Sequence, residues 1–298
     1  VNPIVAVVNP AAGGGRASSV WEDLRRSEPR LADARVVLSP DPQRVREQLA
    51  PLMAEGIERL LAFGGDGSAH LLANLVLDAG LGASVPIGLV PVGTGGDLAR
   101  PLGLPRDPLA ALQRALSSPP RPVDALRLTT DDGRRRFVLN VASAGISGLV
   151  DEAVNAVPGR GQAAYFMATL AALRRYRPAR CRIAVDGQSW YEGGVLLLAV
   201  ANGTCFGGGM KIAPRARLDD GALDVVLVGQ IPKWQLIFRL SRLYRGTHLD
   251  SGHVRWRRAR EVRLEPLSPL PPFDLDGEVF PSASARFELL PAALRLLA

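Results

Sequence analysis

The residues best suited to chemistry are the aspartates set in glycine-rich turns. The first such turn is Gly64-Gly65-Asp66-Gly67-Ser68. An apolar run, Arg59-Leu60-Leu61-Ala62-Phe63, leads into it, and an apolar-periodic segment, Leu71 to Leu77, leads out. That pattern reads as a buried strand, a tight turn and a helix. Glycines let backbone N–H groups come close to a phosphate, and a helix N-terminus adds the positive end of its dipole. A carboxylate beside phosphates is repulsive unless a metal ion or a proton lies between them. Asp66 therefore marks the turn as a phosphate cradle with a metal-directed or catalytic acid built in. The plainer reading is a glycine turn capped by Asp, and the pentapeptide alone does not separate the two.

The flanking chain adds weight. An apolar strand over residues 4–8 ends in Asn9-Pro10-Ala11-Ala12-Gly13-Gly14-Gly15-Arg16, before a helix at about 18–26. The spacing does not give a dinucleotide-binding fingerprint. A strand over 34–38 and a helix over 42–54 follow. A buried strand over 85–91 then runs into Val92-Gly93-Thr94-Gly95-Gly96-Asp97, a third glycine turn with an aspartate. Parallel α/β sheets bind ligands at the carboxyl ends of their strands, so these turns are expected to converge on one crevice. Asp124 opens the next strand. A P-loop is excluded, because no Gly-Lys-Ser/Thr tripeptide exists and the only lysines are Lys211 and Lys233.

From about residue 125 strands dominate: 125–129, 135–142, 180–186, 194–201, 222–228, 252–256, 259–265 and 283–290. Helices are expected near 109–116, 147–156, 162–177 and 232–245. A βα-alternating half followed by a run of strands predicts an α/β domain and a second, largely antiparallel β domain. Of the 298 residues, 47% are hydrophobic and 22% charged, which is globular composition. No apolar run is long enough to span a bilayer, and no signal peptide is visible. Two cysteines, Cys181 and Cys205, make neither a disulfide framework nor a metal site. A cytoplasmic location is expected. The net charge of +7, carried almost wholly by arginine, points to an anionic partner. Nucleic acid is not expected, since no zinc knuckle, helix-turn-helix or aromatic RNP-like motif accompanies the charge.

Asn9-Pro10 with its glycines, Gly64–Ser68 and Pro91–Arg100 occur in the order found in diacylglycerol kinase-type lipid kinases. Asp124, Asn202-Gly203, the stretch from Pro214 to Asp224, and Asp276-Gly277-Glu278 continue the match. The chain resembles the soluble bacterial branch of that family, which shares its catalytic fold with sphingosine and ceramide kinases. The resemblance implies an N-terminal NAD kinase/phosphofructokinase-like α/β domain, 1–124 with 286–298 returning to it, and a C-terminal β-sandwich over 125–285. It implies ATP and Mg²⁺ as donor and cofactor, with a lipid hydroxyl, diacylglycerol first, as acceptor in the cleft between the domains. The expected location becomes cytoplasmic and peripheral to the inner face of the membrane; a homodimer stays open.

Phosphate positioning falls to Asn9, Gly13, Gly14, Gly64, Gly65, Asp66, Gly67, Ser68, Thr94 and Gly95 under this resemblance. Asp66, Asp97 and Asp124 are the carboxylates for an aspartate–water–Mg²⁺ network, and Asp220 and Asp224 are candidates for a structural Mg²⁺. Asp276, with Glu278 beside it, is the first choice of base for the lipid hydroxyl, and Asp66 competes. Read without the resemblance, Asp276-Gly277 is a β-turn. Three positions depart from the family pattern. Ser68 stands for Thr, Leu71 removes a carboxylate, and Gly96 replaces an Asn. His70 reads either as a polar group facing the cleft or as an ordinary first-turn residue. The run Arg255-Trp256-Arg257-Arg258-Ala259-Arg260, with Arg242 and Arg245, reads either as a lipid-headgroup dock or as exposed positions on a strand. Trp234, Leu236, Ile237 and Phe238 read as core, or if exposed as a membrane-facing edge. An NAD kinase-like or other small-molecule kinase, and a non-catalytic nucleotide- or lipid-binding relative, are the alternatives.

Overall fold

The computed structural model describes residues 3–93, 96–155, 167, 171–172, 176–232 and 241–298. The chain divides into two compact units, Val1–Val123 with Ala292–Ala298, and Asp124–Pro291. The C-terminal return to the first unit thus begins at residue 292, six residues after the expected 286.

The first unit is an α/β layer built on parallel strands β1 (Ile4–Val8), β2 (Arg35–Leu38), β3 (Arg59–Gly64) and β4 (Ile87–Pro91). β1 lies between β2 and β3, and β4 lies outside β3. The order β2-β1-β3-β4 reverses direction at the β1/β3 pair, where open parallel sheets bind ligands. Helices α1 (Ala17–Ser27), α2 (Pro42–Glu55), α3 (Asp66–Asp78) and α4 (Pro108–Ser117) connect the strands. α2 and α4 start in the expected way, with Pro42 and Pro108 at the first position and the Asp41 and Asp107 carboxylates accepting Gln43 and Ala110 N–H. Val8, Leu61, Phe63, Val90, Trp21 and Leu112 share one core, with the Trp21 and Phe63 rings edge to face at 5.0 Å. That core fixes the strand ends from which the glycine turns project.

The second unit is an antiparallel β-sandwich. Its strands are β5 (Arg121–Thr130), β6 (Arg135–Val138), β7 (Val141–Gly145), β8 (Ala179–Val185), β9 (Gln188–Ala201) and β10 (Leu223–Gly229). They continue with β11 (Val254–Ala259), β12 (Glu261–Pro266), β13 (Phe273–Leu275), β14 (Glu278–Phe280) and β15 (Ala285–Leu297), which belongs to the first unit from Ala292 on. The long strand β9 pairs with β7, β8 and β10. Leu198 and Val200 face a core shared with Ile183, Val225, Val262, Phe273 and Phe287. Leu197, Ala199 and Ala201 face the opposite side, against helix α5 (Ile146–Asn155) and the 206–216 loop. Burial on both faces explains why 195–201 is a continuous apolar run.

Three details differ from the sequence reading. The helix after β3 begins at Asp66, not near Leu71, so the glycine-aspartate turn is itself the helix N-terminus. The strand expected over 135–142 is two strands, broken at Leu139-Asn140, where backbone N–H groups turn toward Asp276. The hairpin β13–β14 was hidden by its length, three residues a side. Most of the expected helices 162–177 and 232–245, with Trp234, Leu236, Ile237 and Phe238, lies outside the described residues; 241–245 is helical. No described helix is long and apolar enough to cross a membrane.

Candidate functional site

In the first unit the three glycine turns meet at the carboxyl ends of β1, β3 and β4. Asn9 N–H donates to Phe63 C=O at 3.1 Å, and Val92 N–H donates to Gly64 C=O at 3.0 Å. The Asn9 side chain accepts Ala11 N–H at 3.0 Å, an Asx turn that fixes the exit of β1. Gly13 has φ +61°, and a Cβ there would stand 2.9 Å from Val92 Cγ1. A Cβ on Gly93 would lie 3.2 Å from Gly13 Cα. Two of the turns therefore touch backbone to backbone, which only glycine allows. Gly64 is required for another reason: the Ser68 side chain folds back over it, 2.1 Å from where a Cβ would be.

The outer faces of these turns are open. A Cβ on Gly14, Gly15 or Gly65 would meet no atom within 4 Å. Gly65 is extended, φ −106°, and caps α3 with no side-chain bond. The amides that head α3 thus face a space bounded by glycine backbone, a form that suits an anion. Gly67 is exposed there. Thr94 and Gly95 lie outside the described residues.

Asp66 holds the third turn in place. Its Oδ2 accepts Asp97 N–H at 2.8 Å, and its Oδ1 accepts Leu98 N–H at 3.3 Å. The Asp97 carboxylate lies 3.6 Å from the Arg100 guanidinium. Carboxylates thus stand on two successive turns, Asp66 at the head of α3 and Asp97 on the turn that Asp66 holds. No group of three His, Cys, Asp or Glu among the described residues is placed to hold a metal by itself. The arrangement fits a cation that arrives on phosphates and takes one or two carboxylates from the protein, as Mg²⁺ commonly does. His70 is buried inside α3, its ring 3.2 Å from Asn74 Nδ2, and so is a core residue.

In the second unit, Asp276-Gly277 forms the two-residue turn of the β13–β14 hairpin, with φ +57° and +88°. The turn reading is correct, and the carboxylate has a further task. Asp276 Oδ2 accepts Leu139 N–H at 2.8 Å, and Oδ1 accepts Asn140 N–H at 3.0 Å and Val141 N–H at 2.9 Å. Two of those amides, of Leu139 and Asn140, form the break between β6 and β7, and the third opens β7. Asn202 grips the same segment from the other side. Its Nδ2 donates to Leu139 C=O and to Asp124 C=O, both at 2.9 Å. Asp124 is buried, and its Oδ2 accepts Gly221 N–H at 2.8 Å. One buried amide side chain therefore links the backbones beside Asp124 and Asp276. Glu278 is exposed at the start of β14.

Sequence reasoning gave no role to Asn140, Asn202 or Asp274. Buried Asp274 accepts Gly277 N–H at 2.8 Å and the Ser143 hydroxyl at 3.1 Å, and Ser143 bonds Ser147 at 2.7 Å. The signal was present in Asp274-x-Asp276, two carboxylates at strand spacing, but a polar residue in a three-residue strand has no pattern to contrast with. Asp220 precedes Gly221, whose N–H Asp124 holds, and Asp224 lies opposite Ala201, beside Asn202, but the carboxylates of both are engaged elsewhere. Asp220 is ion-paired with Arg258, and buried Asp224 accepts Trp256 Nε1–H at 2.6 Å. Burial pushes the Asp224 carboxyl up from the ordinary carboxylate range, with the Trp256 bond and Arg258 opposing. Trp256, half-buried under the Arg215 guanidinium at 4.8 Å, is packed in the sandwich and is not an exposed headgroup anchor. Both cysteines are free and buried, and burial pushes the Cys181 thiol up to about 11.

Residues 3–128 match the diacylglycerol kinase catalytic domain, and residues 140–298 match the YegS C-terminal NAD kinase beta sandwich-like domain. The second match alone spans more than half of the chain. The chain belongs to the diacylglycerol kinase and YegS-like lipid kinase family. Within it, a diacylglycerol kinase of Mycobacterium tuberculosis (strain H37Rv) is 29% identical over 302 residues, covering 100% of this chain and 95% of the relative. A probable lipid kinase YegS-like of Xanthomonas euvesicatoria pv. vesicatoria is 36% identical over 251 residues, covering 82% and 80%. The fold is that of a putative diacylglycerol kinase from Bacillus anthracis str. Sterne, with a TM-score of 0.77 at 22% identity, covering 99% of this chain and 97% of that one. Yeast NADH kinase shares it more distantly, with a TM-score of 0.52 at 10% identity, covering 99% and 82%.

Proposed function

We propose that this lipid kinase transfers the γ-phosphoryl group of ATP, with Mg²⁺, to a lipid hydroxyl at the cytoplasmic face of the membrane, and that the acceptor is diacylglycerol, giving phosphatidic acid. The observation that carries this reading is the convergence of three glycine turns at the strand-order reversal of the first unit, with Asp66 heading α3 and holding the turn that carries Asp97. The Gly64–Ser68 and Asn9–Gly15 backbones would bind the phosphates. Asp66 and Asp97 would hold Mg²⁺ through its waters, and the ion would neutralise charge on the transferred group. In the second unit Asp276 would take the hydroxyl proton, at Oδ2, which carries one of its three backbone bonds. The lipid oxygen then forms its bond to the γ-phosphorus as the bond to the β-phosphate oxygen breaks, releasing ADP. Asp66 is the competing base. The two 29%-identical relatives named diacylglycerol kinase support the acceptor.

The test is transfer of labelled γ-phosphate from ATP into a panel of lipid hydroxyls in mixed micelles, with NAD(H) as a soluble comparison. Label in diacylglycerol and none in NAD(H) is the expected outcome; label in NAD(H) alone would replace this reading with a soluble-substrate kinase. Gly65→Ala serves as the site probe. Its extended backbone and open surroundings leave folding unchanged, while the added methyl enters the phosphate space and weakens ATP binding by about tenfold or more. Unchanged ATP affinity would remove the phosphates from that turn.

A further inference from the structure

Along β5, β8, β12 and β15, cations of the second unit are matched with carboxylates: Arg182 with Glu192 and Glu265, Arg127 and Arg286 with Glu288, Arg263 with Glu261. Across the 211–215 and 242–247 segments they are not. Lys211, Arg242 and Arg245 are exposed, and their side chains form no ion pair or hydrogen bond among the described residues. Arg215 is exposed too and rests on the Trp256 ring. Lys211 N–H donates to Leu243 C=O at 3.0 Å and joins the two segments, while Thr247 N–H to Arg242 C=O, also 3.0 Å, closes the second on itself. Gly246, at φ +73°, lies so close that a Cβ would stand 3.0 Å from Pro214 Cβ and 3.4 Å from Lys211 Cδ. Arg242 and Arg245, three apart on a helical turn, share a face. Half-buried Leu243, Tyr244 and Leu249 lie among them. The nearby acids are largely spoken for, Asp219 by Arg217 and Asp220 by Arg258, with Asp250 alone exposed on the adjoining loop.

We infer that Lys211, Arg215, Arg242 and Arg245 form the surface by which the protein docks on a bilayer containing anionic phospholipids. The inference rests on the lipid-kinase reading, since a kinase whose acceptor resides in a bilayer must visit one. Cations without carboxylate partners lose no ion pair on docking, and their neighbours Leu243 and Tyr244 offer apolar surface at headgroup depth. Each such charge strengthens binding to an anionic surface by roughly fivefold, so removing three weakens it by roughly a hundredfold.

The experiment is vesicle co-sedimentation of the full chain, using phosphatidylcholine vesicles with and without phosphatidylglycerol. Wild type is expected to prefer the phosphatidylglycerol vesicles and to lose that preference at high salt. Lys211→Gln/Arg242→Gln/Arg245→Gln should weaken binding by roughly a hundredfold, while the charge-matched Arg182→Gln/Arg263→Gln/Arg286→Gln changes it less than about fivefold. In detergent micelles the first triple variant should phosphorylate lipid as wild type does. Vesicle binding that follows this pattern while no protein phosphorylates any lipid would keep the dock and refute the kinase reading. Equal losses in the two triple variants, no preference for phosphatidylglycerol, or patch-dependent binding to RNA without binding to vesicles would each overturn the dock.

Discussion

Asp276 offers the sharpest separation of scaffold from chemistry. Its carboxylate satisfies the N–H groups of Leu139, Asn140 and Val141, residues no more than 5% exposed. Asp276→Ala would orphan all three, at about 1–3 kcal/mol each, and would place alanine at φ +57°, about 1 kcal/mol more. The sum, on the order of 5 kcal/mol, approaches the whole stability of an ordinary domain. Asp276→Asn is gentler. Asparagine tolerates the left-handed conformation, and its carbonyl can keep Asn140 and Val141 N–H, so only Leu139 N–H meets another donor. The expected loss is about 2 kcal/mol, or a fall of about 4–8 °C in Tm for a unit of this size. Urea and thermal unfolding of both variants, with phosphoryl transfer assayed where the Asn variant is folded, tests the scaffold and the base independently. If Asp276 is also the base, the folded Asn variant loses about 10²–10⁴ in kcat. Wild-type melting in Asp276→Ala would refute the scaffold argument; a folded Asp276→Asn enzyme with full kcat would move the base to Asp66.

Gly13→Ala should cost more stability than Gly14→Ala in thermal unfolding. Both sites have positive φ, but only at Gly13 does the new methyl press on Val92, 2.9 Å away. His248 sets a pH dependence. It is buried, its Nε2 bonds Ile212 C=O at 2.9 Å, and its Nδ1 has no partner among the described residues. Burial lowers its pKa, opposed by the Ile212 bond and Asp250. The unfolded chain therefore binds the proton first as pH falls. The stabilisation is full above the ordinary histidine pKa and is lost as pH drops below about 6.5 toward the folded value, at up to about 1.4 kcal/mol per pH unit. Urea midpoints between pH 8 and pH 5 should show a slope in wild type that His248→Gln flattens; an equal slope in both would assign the acid sensitivity to other groups.

Much of the first unit is legible in the sequence because β1, β3 and β4 are buried on both faces and run into glycine turns. Apolar runs of five or six residues followed by Asn9, Gly64 or Gly93 leave few other folds. What periodicity hides is the start of α3. Gly65, Asp66 and Gly67 are poor helix residues, and only the contact of Ser68 with Gly64 and the hold of Asp66 on the next turn show why the helix begins there. The second unit is less legible where polar residues act through backbone. Asn202 and Asp276 secure the 139–141 break through bonds reaching across more than sixty and more than one hundred residues of sequence. No local pattern encodes a bond of that reach.

The same contacts change how the carboxylates of the proposed site are to be understood. Asp66, Asp124 and Asp276 each accept backbone N–H groups from a segment remote in sequence, and each thereby fixes a turn or a strand break. A carboxylate anchored in this way has little rotamer freedom left to lose when substrate binds, so its placement costs nothing further at the moment of reaction. It also means that neutralising one of them disturbs a turn as well as a charge. Loss of activity in an Asp→Ala variant is thus ambiguous at all three positions, and the isosteric Asp→Asn series, read with folding and kinetics together, is the comparison that separates a base from the scaffold that holds it.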